Sequence, residues 1–285
     1  MKKHLRSNAI LILKGFIIGS SMSVPGVSGG TMAIILGIYD RLISAISNFH
    51  KDIRSNTLYL LKFVAAVGLG IGSLAFLIKW LLDTFTIPVS AFFLGAVFGG
   101  IPALYLKARA GSIRFSSVLY FLFGLAVVIA TGFIPAGNID IVYGNGFNHY
   151  FMVLVTGIII ALALVLPGIS TSHMLLVLGM YDDLLLAITE FNIAFIAIIS
   201  IATTAGIFLI TKPIEWTLRK YPRLTYWAII GFVVGSISGI FRDLVVPAIP
   251  AEASFGWITG TVLFSAATFA LGYWAISALS KFSNE

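Results

Sequence analysis

The chain has 285 residues, of which 59% are hydrophobic and only 10% are charged. Soluble domains carry about 25% charged residues, so this composition indicates a polytopic membrane protein and excludes an ordinary soluble enzyme. The absence of cysteine excludes disulfides and thiolate metal sites, and the net charge of +7 fits a membrane face rich in Lys and Arg better than nucleic-acid binding, so we expect neither a cofactor nor a metal nor a nucleic-acid partner.

The N-terminal stretch, MKKHLRSNAILILKGF, has the basic start and short apolar run of a signal peptide. We nevertheless expect it to belong to the fold, because residues 15–49 recur as residues 157–191. Aligned without a gap, 15 of 35 positions are identical, including the patterns P-G-x-S and L-G-x-Y-D at the same offset. Apolar composition alone would not repeat these patterns, so the chain is a duplication.

Each copy begins with an apolar segment that is interrupted by Pro-Gly. Residues 9–24 and 32–47 flank Pro25-Gly26, and residues 151–188 are interrupted in the same way at Pro167-Gly168. An arm of about 16 residues is shorter than the roughly 20 residues that a membrane span needs. Pro cannot continue a helix and Gly permits a sharp reversal. We therefore predict two re-entrant helical hairpins, with their tips near the middle of the membrane.

Three apolar spans follow each hairpin. In chain order they cover residues 59–82, 89–106, 115–134, 193–212, 224–241 and 256–279. The prediction is an all-α polytopic membrane protein forming a single membrane domain, 1–285. It contains a first repeat (9–134), a polar linker (135–149) and a second repeat (150–279), each repeat a re-entrant hairpin plus three transmembrane helices. Gly95 and Gly99, like Gly231 and Gly235, have the G-x-x-x-G spacing of closely packed helices.

Three crossings per repeat would place the second repeat upside down relative to the first. With the N-terminus in the cytoplasm, this topology puts 16 of the 18 Lys and Arg residues inside and leaves only Lys79 and Arg242 outside. That split follows the positive-inside rule. We predict a multi-pass protein of the bacterial plasma membrane with both termini cytoplasmic. Inverted repeats with broken helices are typical of secondary transporters, whose substrate sites lie at the repeat interface.

The residues that follow each Pro-Gly are small or hydroxylic and open a helix. Free backbone N–H groups and the positive helix end favour an anion there, and hydroxyl groups can donate to phosphate oxygens. The predicted substrate-binding residues at the tips are Ser28, Gly29, Gly30, Thr31, Ser170, Thr171, Ser172 and His173. The alternatives are that Ser28 and Ser170 are only helix N-caps and that His173 is an ordinary hydrogen-bonded histidine.

Charged residues flank the hairpins. Lys14 and Arg41 could attract the phosphate, or they could extend to the cytoplasmic headgroups. Asp40 and Asp182 follow L-G-x-Y in the two copies. They are candidates for coupling transport to an ion, H⁺ or Na⁺, or they could pair locally.

The stretch GSSMSVPGVSGGTMAIILGIYDRLISAI and its second copy with LPGIS and LGMYD resemble the PopT family of bacterial membrane proteins. The resemblance covers nearly the whole chain. It implies a polyprenyl-phosphate transporter, a flippase that returns the lipid carrier undecaprenyl phosphate from the outer to the inner leaflet for recycling in cell-wall synthesis. Its partners would be that lipid and the surrounding membrane lipids.

Two other functions remain open from the residues. The undecaprenyl-diphosphate phosphatases also combine inverted repeats with a P-G-x-S-type motif, but their motif continues with Arg and they use a pair of Glu residues. Here residues 9–39 and 150–181 contain no acidic residue, and a phosphatase needs a general base and a cation near the phosphorus. We therefore predict no enzyme and no catalytic residues. A secondary transporter of small anions is the second alternative.

Overall fold

The computed structural model describes residues 2–24, 26–108, 114–135 and 147–282, so Pro25 and most of the predicted linker 135–149 lie outside it. The described chain is helical. Its helices are α1 (Lys2–Ser21), α2 (Gly29–Ile35), α3 (Tyr39–Ser47), α4 (Ile53–Ala108), α5 (Phe115–Gly132), α6 (Phe147–Val165), α7 (Thr171–Val177), α8 (Tyr181–Thr189), α9 (Ile193–Lys220), α10 (Pro222–Ile240) and α11 (Phe255–Phe282), with a 3₁₀ turn at Phe49–Lys51 and a π-helical turn at Phe241–Val245.

Five of the described helices are long and apolar enough to cross a membrane: α4, α5, α9, α10 with the π turn, and α11. Large apolar side chains are exposed around them, such as Phe76 and Phe255, which are 84% and 85% exposed. Such a surface is stable only when lipid covers it. The predicted fold class, an all-α polytopic membrane protein, is confirmed.

The predicted spans 59–82 and 89–106 are the two arms of α4. These predicted spans leave residues 83–88 between them as a connection. Within this stretch the chain leaves helical geometry at Phe85, whose φ is −134° and ψ is 48°, so the two arms are helices joined at a sharp kink. Pro88 explains the position of this kink, because it has no N–H to donate to the carbonyl of residue 84 and its ring crowds that turn.

The returning arm of each hairpin is broken a second time. The sequence predicted one helix over residues 32–47, but α2 and α3 are bent by 115°, and α7 and α8 by 106°. Gly37 and Gly179 lie at these bends with φ of 71° and 66°. Each closes the preceding short helix with the same pair of backbone hydrogen bonds, such as Ile38 N–H to the Ala33 carbonyl at 3.0 Å. This is the Schellman motif, which needs a left-handed residue and therefore favours glycine.

The helices pair both within each half of the chain and across the two halves. α1 packs on the first arm of α4, and α6 packs on α9 in the same way. The second arm of α4 pairs with α11, whereas α10 pairs with α5. The predicted G-x-x-x-G glycines lie at these contacts: a Cβ on Gly95 would be 2.0 Å from the Phe269 carbonyl oxygen, and a Cβ on Gly231 would be 2.1 Å from that of Phe121. The last span of each half therefore packs on the opposite half.

Candidate functional site

The two hairpin tips touch inside the helical bundle. The backbone N–H of Gly168, in the second tip, donates to Oγ1 of Thr31, in the first tip, over 2.8 Å. Gly30 packs against the same partner, since a Cβ there would lie 3.2 Å from the Leu164 carbonyl oxygen. Thr31 is only 1% exposed. The first tip thus uses these residues to hold the second tip.

Helix α10 supports both tips. Gly26 and Gly168 have φ of 80° and 83°, which gives the two chain reversals the same left-handed backbone. A Cβ on Gly26 would lie 3.1 Å from the Ile240 nitrogen, and one on Gly168 would lie 2.5 Å from the Phe232 carbonyl oxygen. Both reversals therefore need glycine, because the conformation is left-handed and the backbone of α10 lies against it.

The hydroxyl group of Ser170 caps the short helix α7. It accepts a hydrogen bond from the His173 backbone N–H at 3.3 Å and lies 3.1 Å from the Ser172 hydroxyl. Nε2 of His173 lies 3.2 Å from the Thr131 carbonyl oxygen. Ser28 holds the matching place in the first copy, yet its side chain makes no capping bond, and the residue is 5% exposed. The two copies have the same motif but use it differently.

A small cavity of about 20 Å³ lies between the tips, which is room for about one water molecule. Both tips and the ends of α5 and α10 contribute to its wall. The lining residues that matter here are Gly26, Gly168, Ser170, His173 and Arg242. Of the eight tip residues predicted from the sequence, Ser170 and His173 line this cavity. Ser28, Gly29, Gly30, Thr31, Thr171 and Ser172 do not.

Arg242 is a cavity residue that the sequence analysis did not select. Its Nε and Nη2 donate to the two carboxylate oxygens of Asp243 at 2.7 and 3.1 Å. Its Nη1 donates to the carbonyl oxygen of Gly132. One signal was available in the sequence: Arg242 is one of only two cations that the predicted topology places outside. Its distance from the tips along the chain concealed the contact.

The charged residues that flank the first hairpin form a separate cluster. Nζ of Lys107 lies 2.7 Å from Oδ2 of Asp40, and the Tyr226 hydroxyl donates to the same oxygen. Lys14 is within electrostatic range of Lys107 and only 3% exposed, so it does not extend to the surface. The cluster joins the start of α3 to α4 and α10, away from the cavity between the tips.

Arg41 and Asp182 complete the predicted charged set. The guanidinium of Arg41 lies 5.0 Å from the centre of the Tyr59 ring and donates to Asn56 at 3.3 Å. Arg41 and Asp40 line a polar pocket of about 550 Å³. Asp182 is exposed, and it forms no ion pair within the part of the chain that the structure describes. The two matching aspartates are therefore in different environments.

An apolar groove of about 530 Å³ lies between α1, α4 and α11. Ile17 and Met32 of the first hairpin form part of its wall, opposite Leu77, Phe92 and Ile276. The groove therefore extends along the hairpin that carries the first tip. Among the described residues, no group of three or more His, Asp or Glu side chains could hold a metal ion.

The fold and the site define a multi-pass helical membrane protein in which two broken helical hairpins meet at a small polar cavity. Comparison with known proteins identifies the family within this class. The chain belongs to the undecaprenyl phosphate translocase-like family, whose model matches residues 18–248. This confirms the family resemblance that the hairpin motifs indicated.

Two curated relatives are similar over most of their length. The polyprenyl-phosphate transporter of Staphylococcus aureus is 35% identical over 269 residues, which cover 90% of this chain and 92% of the relative. The polyprenyl-phosphate transporter of Vibrio cholerae is 29% identical over 243 residues, which cover 80% and 76%. No solved structure matches the chain. With these relatives and its apolar helices, the chain is a multi-pass bacterial membrane protein.

Proposed function

We propose that this protein transports polyprenyl phosphate, with undecaprenyl phosphate as the substrate, from the outer to the inner leaflet of the plasma membrane. The observation that carries the proposal is the contact of the two hairpin tips, Gly168 N–H to Thr31 Oγ1, inside an apolar bundle. Irregular backbone at membrane depth is tolerated only where it is buried in protein or lines a wet cavity. Broken helices that meet there are the typical substrate site of a transporter.

The phosphate head group would lie beside the second tip. Ser170 and His173 present polar groups to the cavity there, whereas the hydroxyl of Thr31 already accepts a hydrogen bond from Gly168. The remaining predicted tip residues, Ser28, Gly29, Gly30, Thr171 and Ser172, would reach the phosphate only in another conformation. A phosphate does not fit into about 20 Å³, so the cavity would have to widen to admit the head group.

The apolar groove supports a lipid substrate over a small soluble anion. The isoprenoid tail of a polyprenyl phosphate can remain in apolar surroundings while only the head group crosses. The groove between α1, α4 and α11 borders the first hairpin, so a tail lying there would keep its phosphate near the tips. A transporter of small anions needs no such groove.

The exchange of last spans between the halves supports two inverted repeats, 9–134 and 150–279. α11 packs on the first half and α5 packs on the second, which is the pattern that a two-fold relation between the halves produces. In this arrangement both termini are cytoplasmic, and rocking of one half against the other would open the site to each side in turn. Recycling of the lipid carrier for cell-wall synthesis follows from that direction of transport.

The geometry does not favour hydrolysis. A serine nucleophile needs a base within hydrogen-bonding distance of its hydroxyl. The Ser170 hydroxyl instead accepts a hydrogen bond from the backbone N–H of His173. Nε2 of the histidine ring lies within hydrogen-bonding distance of the Thr131 carbonyl oxygen. The family description and the names of the relatives also point to transport.

The test uses purified protein in proteoliposomes with a labelled short-chain polyprenyl monophosphate and the matching diphosphate. Leaflet exposure and free phosphate are followed together. The expected result is that the monophosphate crosses and no phosphate is released. Release from the diphosphate would establish the enzyme instead. Uptake of a soluble anion without lipid crossing would also contradict the proposal.

A further inference from the structure

Arg242, a cation that lines the cavity between the two hairpin tips, is held by its own neighbour in the chain. Arg242 and Asp243 form a two-pronged ion pair, with N–O distances of 2.7 and 3.1 Å. Adjacent residues do not face each other on a regular α-helix. Here they lie in the π-helical turn Phe241–Val245, which is closed by a hydrogen bond from Val246 N–H to the Phe241 carbonyl at 2.9 Å. Such turns occur frequently at functional sites.

The position of this turn links it to both tips. Ile240 lies against Gly26 of the first tip, so Arg242 comes just after that contact. Arg242 then lines the cavity together with Ser170 and His173 of the second tip. It is thus a cation whose place is set by the same helix that supports both chain reversals.

The carboxylate of Asp243 is the group that resembles a phosphate at this place. The guanidinium fork matches two oxygens of a carboxylate or of a phosphate equally well. The side chains of Arg242 and Asp243 are 38% and 28% exposed, so neither charge is deeply buried and the pair can separate at modest cost. The cavity beside them has room for one water only. A phosphate that enters must therefore displace a group that is already there.

We infer that Arg242 binds the phosphate monoester of the substrate and that Asp243 is an internal counter-anion, which the phosphate displaces and which returns when the phosphate leaves. This inference rests on the proposed function and adds the residue that recognises the head group. Ser170 and His173 line the same cavity, so their polar groups would lie next to the incoming phosphate. The returning carboxylate competes with the phosphate and so promotes its release.

The experiment measures binding and transport of a short-chain polyprenyl monophosphate by the full-length protein, with inorganic phosphate as a second probe. Arg242→Gln should weaken binding of the lipid by about tenfold or more, and Arg242→Lys should weaken it less, since the charge remains but the fork is lost. Asp243→Asn should bind more tightly, by several-fold, yet turn over more slowly. Inorganic phosphate should follow the same order if the head group alone is recognised, and a different order would overturn recognition through the phosphate.

The matched control is Lys79→Gln, which removes the other predicted outside cation. Lys79 pairs with Asp83 on an exposed helix face at 3.0 Å, with 73% and 64% of the side chains exposed, so binding should not change. If Arg242→Gln does not fold, Asp243→Asn decides, because loss of a merely structural ion pair would not tighten binding. Unchanged or weaker binding by Asp243→Asn overturns the inference while the wild type still transports. A wild type that neither binds nor moves the monophosphate overturns the proposed function as well.

Discussion

At the scale of single residues, the two hairpin tips differ although they share one motif. Thr31 and Ser28 of the first tip are 1% and 5% exposed, and Thr31 bonds to the second tip. Ser170 and His173 of the second tip are partly exposed and line the cavity. The first tip is therefore part of the scaffold, whereas the second tip presents polar groups to the cavity.

Thr31→Val tests the scaffold role of the first tip. The change keeps the shape of the side chain but removes the acceptor for Gly168 N–H. A buried donor left without a partner costs about 1–3 kcal/mol, so we expect a clear drop in unfolding free energy, measured by denaturant titration in detergent.

The control for Thr31→Val is Thr156→Val in α6. Thr156 is also 1% exposed, but its hydroxyl has no hydrogen-bond partner within the described chain. Its removal should be neutral or slightly stabilising, because no buried bond is lost. Equal losses in the two variants would show that the contact between the tips contributes nothing specific to stability.

The sequence predicted candidate binding residues at both tips but could not predict which of them face the cavity. The repeated P-G-x-S pattern marks Ser28 and Ser170 equally, because both follow a chain reversal with the same backbone. Which copy faces a cavity depends on the packing of α10, and no local pattern encodes that. Arg242 was missed for the same reason, since it approaches the tips only after α10 is placed beside both of them.

At the scale of elements, each hairpin is one long helix followed by two short helices, and left-handed glycines separate the three. The sequence predicted the reversal at Pro-Gly because proline interrupts an apolar run. It did not predict the second bend, although L-G-x-Y-D in both copies carries the signal: a glycine that ends one helix and an aspartate in the first turn of the next. The apolar character on both sides of the glycine concealed the break.

Gly168→Ala tests the reversal of the second hairpin. The φ of 83° is strained for alanine, and the new Cβ would lie 2.5 Å from the Phe232 carbonyl oxygen. We expect a loss of about 1–3 kcal/mol or more, visible as a lower unfolding midpoint, together with loss of transport. Gly72→Ala in α4 is the control. It has no atom within 4 Å and should be neutral or stabilising. Similar midpoints for the two variants would contradict this account.

Asp40 joins three elements, because the Lys107 and Tyr226 side chains of α4 and α10 both bond to it at the start of α3. The side chains of Asp40 and Lys107 are 43% and 42% exposed, so the pair contributes at most about 1 kcal/mol to stability. Asp40→Asn removes this pair. We expect the variant to fold normally and to transport up to about fivefold more slowly, because about 1 kcal/mol corresponds to about a fivefold change in rate. Transport by Asp83→Asn, which breaks an exposed pair, should equal wild type. Equal rates for all three proteins in proteoliposomes would exclude Asp40 as a coupling residue.

At the scale of the whole molecule, the halves are held together by exchanged helices. α5 lies against α10, and α11 lies against the second arm of α4, so neither half can move without sliding its last span along the other half. The G-x-x-x-G glycines allow the helix backbones at these contacts to approach closely, because they have no side chain. The rocking that we propose would therefore move whole bundles around the tips.

The inverted orientation of the two repeats can be tested directly, because the chain contains no cysteine. Arg41 and Asp183 are equivalent positions in the two copies, since residues 15–49 align with 157–191. Single cysteines at these positions would react with a membrane-impermeant maleimide in intact cells and in inverted vesicles. Inverted repeats predict that Arg41→Cys is labelled only from the cytoplasmic side and Asp183→Cys only from outside. Labelling of both from one side would mean parallel repeats, and the hairpins would then enter from the same face. In that case the tips could not meet at mid-depth from opposite leaflets, and alternating access through the cavity beside Arg242 would fail.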